Sequence, residues 1–171
     1  REELAHPARA VHPRGLVERD RDLLDAGQEQ HEAEAEHHPA ADEPERRYPV
    51  IFVLDGSSQD VHTASTSALM ARLGLMPPLI VVGIPHGGDD RRYVEYTPYR
   101  GRGGAFPMGG QGSAYLRWLV ETAKPAVDAA FPTRPERAAT GIMGSSLGGL
   151  ISLWAAIEHP TTFGLVGSMS T

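Results

Sequence analysis

The sequence predicts an α/β protein with a mainly parallel sheet that is covered by helices on both faces. Three observations predict it: short runs of consecutive apolar, often β-branched residues, amphipathic segments between these runs, and polar, glycine-rich connections. Continuous rather than alternating apolar runs are typical of strands that are buried on both faces of a parallel sheet. Runs and amphipathic segments alternate from residue 48 to residue 171, as a parallel sheet with crossover helices requires.

Four segments are predicted to be strands and three to be helices. The strands fall at residues 49–54, 79–84, 138–143 and 163–168. The helices fall at residues 63–73, 113–130 and 147–158, where Gly74 ends the first and Pro125 kinks or divides the second. Residues 85–112 are polar and rich in glycine, and we expect a long loop there.

Residues 1–47 differ sharply from the rest of the chain. They lack Phe, Trp, Tyr, Ile, Met, Ser, Thr, Asn and Lys, and they carry the whole net charge of −6. Such a segment buries too little apolar surface to offset the entropy of ordering its backbone. Two interpretations stay open, a disordered leader or a GC-rich gene read out of frame, and neither predicts a strand before Tyr48.

Composition excludes several classes of function. The chain has no cysteine, which excludes disulfides and thiolate metal sites, and the cluster of His31, His37 and His38 lacks a closed ligand spacing. We therefore expect no metal and no cofactor. No basic face for nucleic acid and no apolar stretch of about 18 residues is present, so neither a nucleic-acid partner nor a membrane span is expected. No signal peptide is visible at residues 1–10, which favours a cytoplasmic location.

The segment Gly144-Ser145-Ser146-Leu147-Gly148 matches G-x-S-x-G with Ser146 at its centre. A predicted strand leads into it and a predicted apolar helix leads out, as in the sharp turn that presents a nucleophilic serine. Glycines two positions on either side let the strand and the helix pass closely. The pattern predicts that Ser146 is a catalytic nucleophile, whereas Ser145 lies off the centre of the motif and is interpreted as structural.

An oxyanion hole requires two backbone N–H groups that point at one spot. The residue after the nucleophile, Leu147, is expected to supply one, at the N-terminus of the following helix. The loop after the first strand, which starts at Asp55, is expected to supply the other from Ser57 or Ser58. An ordinary turn at that loop is the alternative.

Five segments together resemble the esterase family of α/β hydrolases that includes enterochelin esterases, feruloyl esterases, S-formylglutathione hydrolase and the antigen 85 mycolyltransferases. They are YPVIFVLDG (48–56), VVGIP (81–85), EYTP (95–98), GSSLGGL (144–150), and HP with FG (159–160, 163–164). The resemblance implies that residues 48–171 are the N-terminal and central part of an α/β-hydrolase domain. It implies a carboxylic ester hydrolase that acts on a small-molecule ester through an acyl-serine intermediate, and the enterochelin-esterase branch is the most similar.

The resemblance also implies an acidic residue and a histidine that follow the nucleophile in the chain, yet only 25 residues follow Ser146. His159 lies at the far end of the following helix, about 18 Å away, and His62 and His86 are weak alternatives for the base. We therefore expect this chain alone to be inactive. An acyltransferase of the same fold and a non-catalytic fragment or binding module stay open.

Residues 89–100 are expected to border the active site. Arg92 is a candidate for contact with an anionic or catecholate substrate, and Tyr96 for stacking on an aromatic acyl group. A solvated surface loop is the alternative interpretation of this segment.

Overall fold

The computed structural model describes residues 9–11, 45–56, 59–101 and 109–171. Its strands are β1 (Arg9–Val11), β2 (Val50–Leu54), β3 (Ile80–Ile84), β4 (Thr140–Ser145) and β5 (Leu165–Met169). They form one sheet in the order β1-β3-β2-β4-β5. Strands β2 to β5 run parallel to one another, which confirms the predicted mainly parallel sheet.

The helices are α1 (Gln59–Arg72), α2 (Asp89–Glu95), α3 (Gly112–Trp118), α4 (Lys124–Ala130) and α5 (Leu147–Glu158). A π-helical turn (Leu119–Ala123) joins α3 to α4, and a 3₁₀ turn (Arg137–Ala139) precedes β4. Pro125 lies in the first turn of α4. The π-helical turn just before it loosens the helix where the proline ring would otherwise meet the carbonyl four residues back. In the described ranges, every helix is too short or too polar to cross a membrane.

Two elements differ from the sequence analysis. The expectation of no strand before Tyr48 is wrong at β1, which pairs antiparallel with β3, with Arg9 opposite Gly83. Backbone hydrogen bonds at a free sheet edge do not require apolar side chains, so composition alone missed this strand. The predicted loop at 85–112 also contains α2, a helix too short and polar to show an apolar periodicity. Residues 12–44 lie outside the described residues, and their interpretation as a leader stays a prediction.

Burial on both faces of β2 explains its continuous apolar run. Val50, Phe52 and Leu54 are buried on one face, which α3, the π-helical turn, α4 and α5 cover. Val53 is buried on the other face with Val81, and α1 covers that side. With β3 on one side and β4 on the other, β2 lies at the centre of the sheet. Its carboxyl end therefore opens beside the carboxyl end of β4.

Candidate active site

Ser146 lies in the sharp turn between β4 and α5. Its φ of 56° and ψ of −122° place a non-glycine residue in the left-handed half of the φ range, which is a strained conformation. Its N–H donates to the carbonyl of Met169 at 2.8 Å, and its own carbonyl accepts from the N–H of Leu150 at 3.0 Å. Ser146 is exposed at the carboxyl end of β4. This geometry suits a nucleophile, and the catalytic role stays a prediction.

The glycines of the motif let the strand and the helix approach closely. A Cβ on Gly144 would lie 2.6 Å from the carbonyl carbon of Gly148, closer than real Cβ atoms come to backbone. A Cβ on Gly148 would lie 3.2 Å from Oδ2 of Asp55. Any side chain at Gly144 would therefore push β4 away from the first turn of α5 and move Ser146 with it.

The two predicted sides of the oxyanion hole start at the same edge of the sheet. Leu147 is the first residue of α5, where backbone N–H groups have no partner within the helix. The neighbouring strand β2 pairs with β4 through Val53 and Met143. The turn after β2 therefore begins next to the sharp turn at Ser146 between β4 and α5, here called the nucleophile elbow. Ser57 and Ser58 lie outside the described residues, and their role stays a prediction.

An ion pair lies at this edge between Asp55 and Arg92. Nε and Nη2 of Arg92 donate to Oδ1 and Oδ2 of Asp55 at 2.7 and 2.8 Å, a two-pronged arrangement. Nη2 also donates to the carbonyl of Ser145 at 3.4 Å. The hydrogen bond to Asp55 is the main reason that the pKa of Arg92 is raised. Arg92 thus contacts the ends of both central strands.

Tyr96 lies behind this ion pair and has no exposed surface. Its hydroxyl oxygen accepts the N–H of Asp55 at 3.3 Å, and its ring centroid lies 5.2 Å from that of Tyr115. A substrate has no surface of Tyr96 to stack on, so this geometry does not support the predicted stacking. The Arg92 side chain, 20% exposed, is already bound to Asp55, and a substrate contact there stays a prediction.

The buried tyrosines predict a loss of stability at alkaline pH. Burial, followed by the charge of Asp55, raises the pKa of Tyr96 from 10.0 to about 12, and burial also raises that of Tyr115. Above pH 10, these two phenols lose their protons in the unfolded chain but keep them in the folded chain. Through Tyr96, the free energy of unfolding should therefore fall by about 1.4 kcal/mol per pH unit between pH 10 and 12, and Tyr115 should change it in the same direction.

Urea unfolding from pH 8 to pH 11.5 checks this alkaline dependence. In the Tyr96→Phe variant, the free energy of unfolding should decline less steeply with pH than in the parent, whatever the stability of the variant at pH 8. Tyr99→Phe, the same substitution at an exposed tyrosine, is the matched control. Equal slopes for parent and Tyr96→Phe would show that the buried hydroxyl ionises as readily in the folded chain as in the unfolded one.

Three histidines lie in the described part of the chain. His62 is exposed on α1, which packs on β2 and β3. His86 follows β3, two strand spacings or roughly 10 Å from β4, and its Nδ1 accepts the N–H of Gly88 at 3.1 Å. His159 follows the last residue of α5 and lies at the opposite end of that helix from Ser146. Among the described residues, none of these histidines donates to or accepts from Ser146.

Comparisons with known proteins place the chain among esterases. The chain is 30% identical over 126 residues to the uncharacterized protein YbbA of Bacillus subtilis (strain 168), covering 72% of this chain and 49% of YbbA. It is 28% identical over 143 residues to the ferri-bacillibactin esterase BesA of the same organism, covering 73% of this chain and 48% of BesA. An IroE-like serine hydrolase from Shewanella oneidensis superposes with a TM-score of 0.62 and 25% identity, over 74% of this chain and 42% of that one.

The chain thus spans about half the length of the curated relatives that it matches. The parallel sheet with helices on both faces and the likeness to the IroE-like hydrolase structure confirm the predicted α/β-hydrolase fold, present here in part. The model of the Esterase family, described as "Putative esterase", matches residues 30–171, so the match begins inside the segment that composition sets apart. The chain therefore belongs to this esterase family.

Proposed function

We propose that the protein containing this chain hydrolyses carboxylic esters through an acyl-serine intermediate on Ser146. The observation that carries the proposal is the strained, exposed conformation of Ser146 at the carboxyl end of a central strand. Membership of the esterase family supports ester hydrolysis, and the likeness to an IroE-like serine hydrolase supports a serine mechanism. No cofactor enters this chemistry.

The proposed reaction has two half-reactions. Oγ of Ser146 attacks the ester carbonyl carbon, a histidine takes the hydroxyl proton, and the alcohol leaves with that proton. The N–H of Leu147 and one N–H from Ser57 or Ser58 stabilise the negative oxygen of each tetrahedral intermediate. Water then attacks the acyl-serine and releases the acid. No described histidine contacts Ser146, and in this fold the histidine follows the nucleophile in the chain. Because the chain spans about half the length of its curated relatives, the base in this proposal is a histidine of the longer protein.

The resemblance to BesA, which is named as a ferri-bacillibactin esterase, directs the choice of substrate. Ferri-bacillibactin is therefore the small-molecule ester that we would test first. Acyl transfer to another alcohol shares the first half-reaction, and an added alcohol acceptor that gains the acyl group would reveal it. A non-catalytic role is favoured by one observation, the lack of a contact between Ser146 and any described histidine.

Two polypeptides separate these possibilities: the 171-residue chain and a natural polypeptide that continues past Thr171, here called the extended protein. We expect the 171-residue chain to hydrolyse p-nitrophenyl acetate barely above background and to resist a fluorophosphonate probe. Without a base, a serine hydrolase keeps only about 10³–10⁴-fold acceleration over water from binding and the oxyanion hole. The extended protein should hydrolyse the ester and bind the probe covalently.

The 171-residue chain must first be shown to be a soluble monomer, since β5 leaves an exposed strand at its sheet edge. Rapid turnover by the 171-residue chain that disappears in His62→Ala or His86→Ala would identify one of these residues as the base. An extended protein that is folded but inactive on all esters, and unlabelled, would favour the non-catalytic role.

A further inference from the structure

The turn that starts at Asp55 is fixed from three directions. Asp55 has a φ of 61°, a conformation that aspartate tolerates better than most residues. Its N–H donates to the hydroxyl of Tyr96, and its carboxylate, in a residue only 7% exposed, is bound by Arg92. The next N–H, that of Gly56, donates to the carbonyl of Ile84 at 3.0 Å. The backbone therefore leaves β2 in one defined direction.

Arg92 links this turn to the nucleophile strand. The same guanidinium that holds both carboxylate oxygens of Asp55 reaches the carbonyl of Ser145, the residue before the elbow. Its carbon Cζ lies 5.5 Å from the ring centroid of Tyr96, which supports the guanidinium from behind. The planar fork of an arginine restricts the distance and the angle between the groups that it joins. One side chain therefore restrains the spacing between the ends of β2 and β4.

We propose that Asp55 and Arg92 form a positioning pair that sets the distance between the loop after β2 and the nucleophile elbow at β4. This inference rests on the proposed function, because that distance matters only if the two elements supply the two sides of an oxyanion hole. Asp55 and Arg92 act through the backbone of Gly56 and Ser145 and do not touch the substrate. Misplacing catalytic groups by about 1 Å can cost 10²-fold in rate.

Four variants of the extended protein test the pair. Arg92→Met keeps most of the aliphatic part of the side chain but removes the guanidinium. Asp55→Asn keeps the size of the side chain and tolerates the left-handed backbone, but it removes the negative charge. We expect each to lower kcat by about 10²-fold and to leave KM within about 3-fold of the parent. The double variant should be no slower than the slower single variant, because the two residues act as one unit. Arg92→Lys, which keeps the charge but not the fork, should fall between the parent and Arg92→Met.

The double variant also separates an effect on catalysis from an effect on stability. Arg92→Met leaves a buried carboxylate without its cation and is strongly destabilising, whereas the double variant buries no charge at this place. Each kcat is measured at least 15 °C below the melting temperature of that variant. The matched control is Arg134→Met, which removes a pair with Glu136 whose side chains are 49% and 48% exposed. It should leave kcat and KM unchanged.

The outcomes separate this inference from the proposed function. If ester turnover survives Ser146→Ala, the proposed function itself is wrong. If Ser146→Ala abolishes turnover but both Asp55→Asn and the double variant keep kcat within about 3-fold of the parent, the positioning pair is rejected. A rise in KM with unchanged kcat in Arg92→Met would also reject it, since that pattern indicates direct substrate contact.

Discussion

Replacing Ser146 with alanine in the extended protein is expected to lower kcat for ester hydrolysis by at least about 10⁴-fold and to abolish fluorophosphonate labelling. Alanine keeps the backbone of the elbow but removes the oxygen that forms the acyl bond in the proposed mechanism. In subtilisin, the loss of the nucleophile costs about as much as the loss of the whole catalytic triad. Steady-state hydrolysis of p-nitrophenyl acetate and gel detection of the labelled protein measure the two effects.

Ser145→Ala is the matched control, since it removes the neighbouring hydroxyl and keeps the carbonyl that Arg92 contacts. We expect it to retain activity within about 10-fold of the parent, which is far less than the loss expected at Ser146. A Ser145→Ala variant that loses as much rate as Ser146→Ala would show that the motif has been centred on the wrong serine. Full activity in Ser146→Ala would remove the basis of the proposed mechanism.

Replacing Gly144 with alanine is expected to destabilise the fold by about 3 kcal/mol, at the upper end of the cost of overpacking. The new Cβ would lie 2.6 and 2.8 Å from the carbonyl carbon and oxygen of Gly148. These are backbone atoms in the first turn of α5, so no rotamer change relieves the contact. For a protein of this size, the melting temperature should fall by about 6–12 °C. Urea and thermal unfolding of the 171-residue chain measure the loss.

Gly141→Ala is the matched control on the same strand. Its Cβ would meet side-chain atoms of Ile51 at 3.3 and 3.6 Å and of Leu165 at 3.5 Å, and these can shift by a few tenths of an ångström. We expect the free energy of unfolding to change by less than about 1 kcal/mol, as for a small substitution that its surroundings accommodate. Equal losses for the two variants would mean that any added methyl group on β4 is costly and that the elbow has no special steric demand.

The sequence predicted β2 and β3 from continuous runs of apolar residues, and it predicted β4 and β5 from shorter apolar stretches that alternate with helical segments. The predicted bounds of β4 and β5 differ from the observed ones by one or two residues, because small residues such as Thr140 and Gly164 carry little signal for strand ends. The short elements β1 and α2 were missed for different reasons. A strand of three residues has too few positions for a pattern, and α2 buries Glu95 rather than an apolar stripe.

At the candidate site, the glycine spacing around Ser146 predicted the turn because only a close approach of strand and helix requires it. The sequence did not predict the partnership of Asp55 with Arg92, which are 37 residues apart. One signal was present: Asp55 follows an apolar strand directly, and a carboxylate that near a core requires a cation. The predicted substrate contact of Arg92 is a separate question and stays a prediction. The sequence could not show that Arg92 is the partner of Asp55, because this contact depends on how α2 lies across the sheet edge.

The position of β2 at the centre of the sheet also has a kinetic consequence. Val50 pairs with Ile80 on one side and with Thr140 on the other, so its second neighbour is about 90 residues further along the chain. Contacts between such distant segments close large loops and slow the folding of a domain. During synthesis, β2 and β3 can pair while β4 has not yet left the ribosome. The turn at Ser146 is therefore expected to be among the last parts of the described chain to acquire its native conformation.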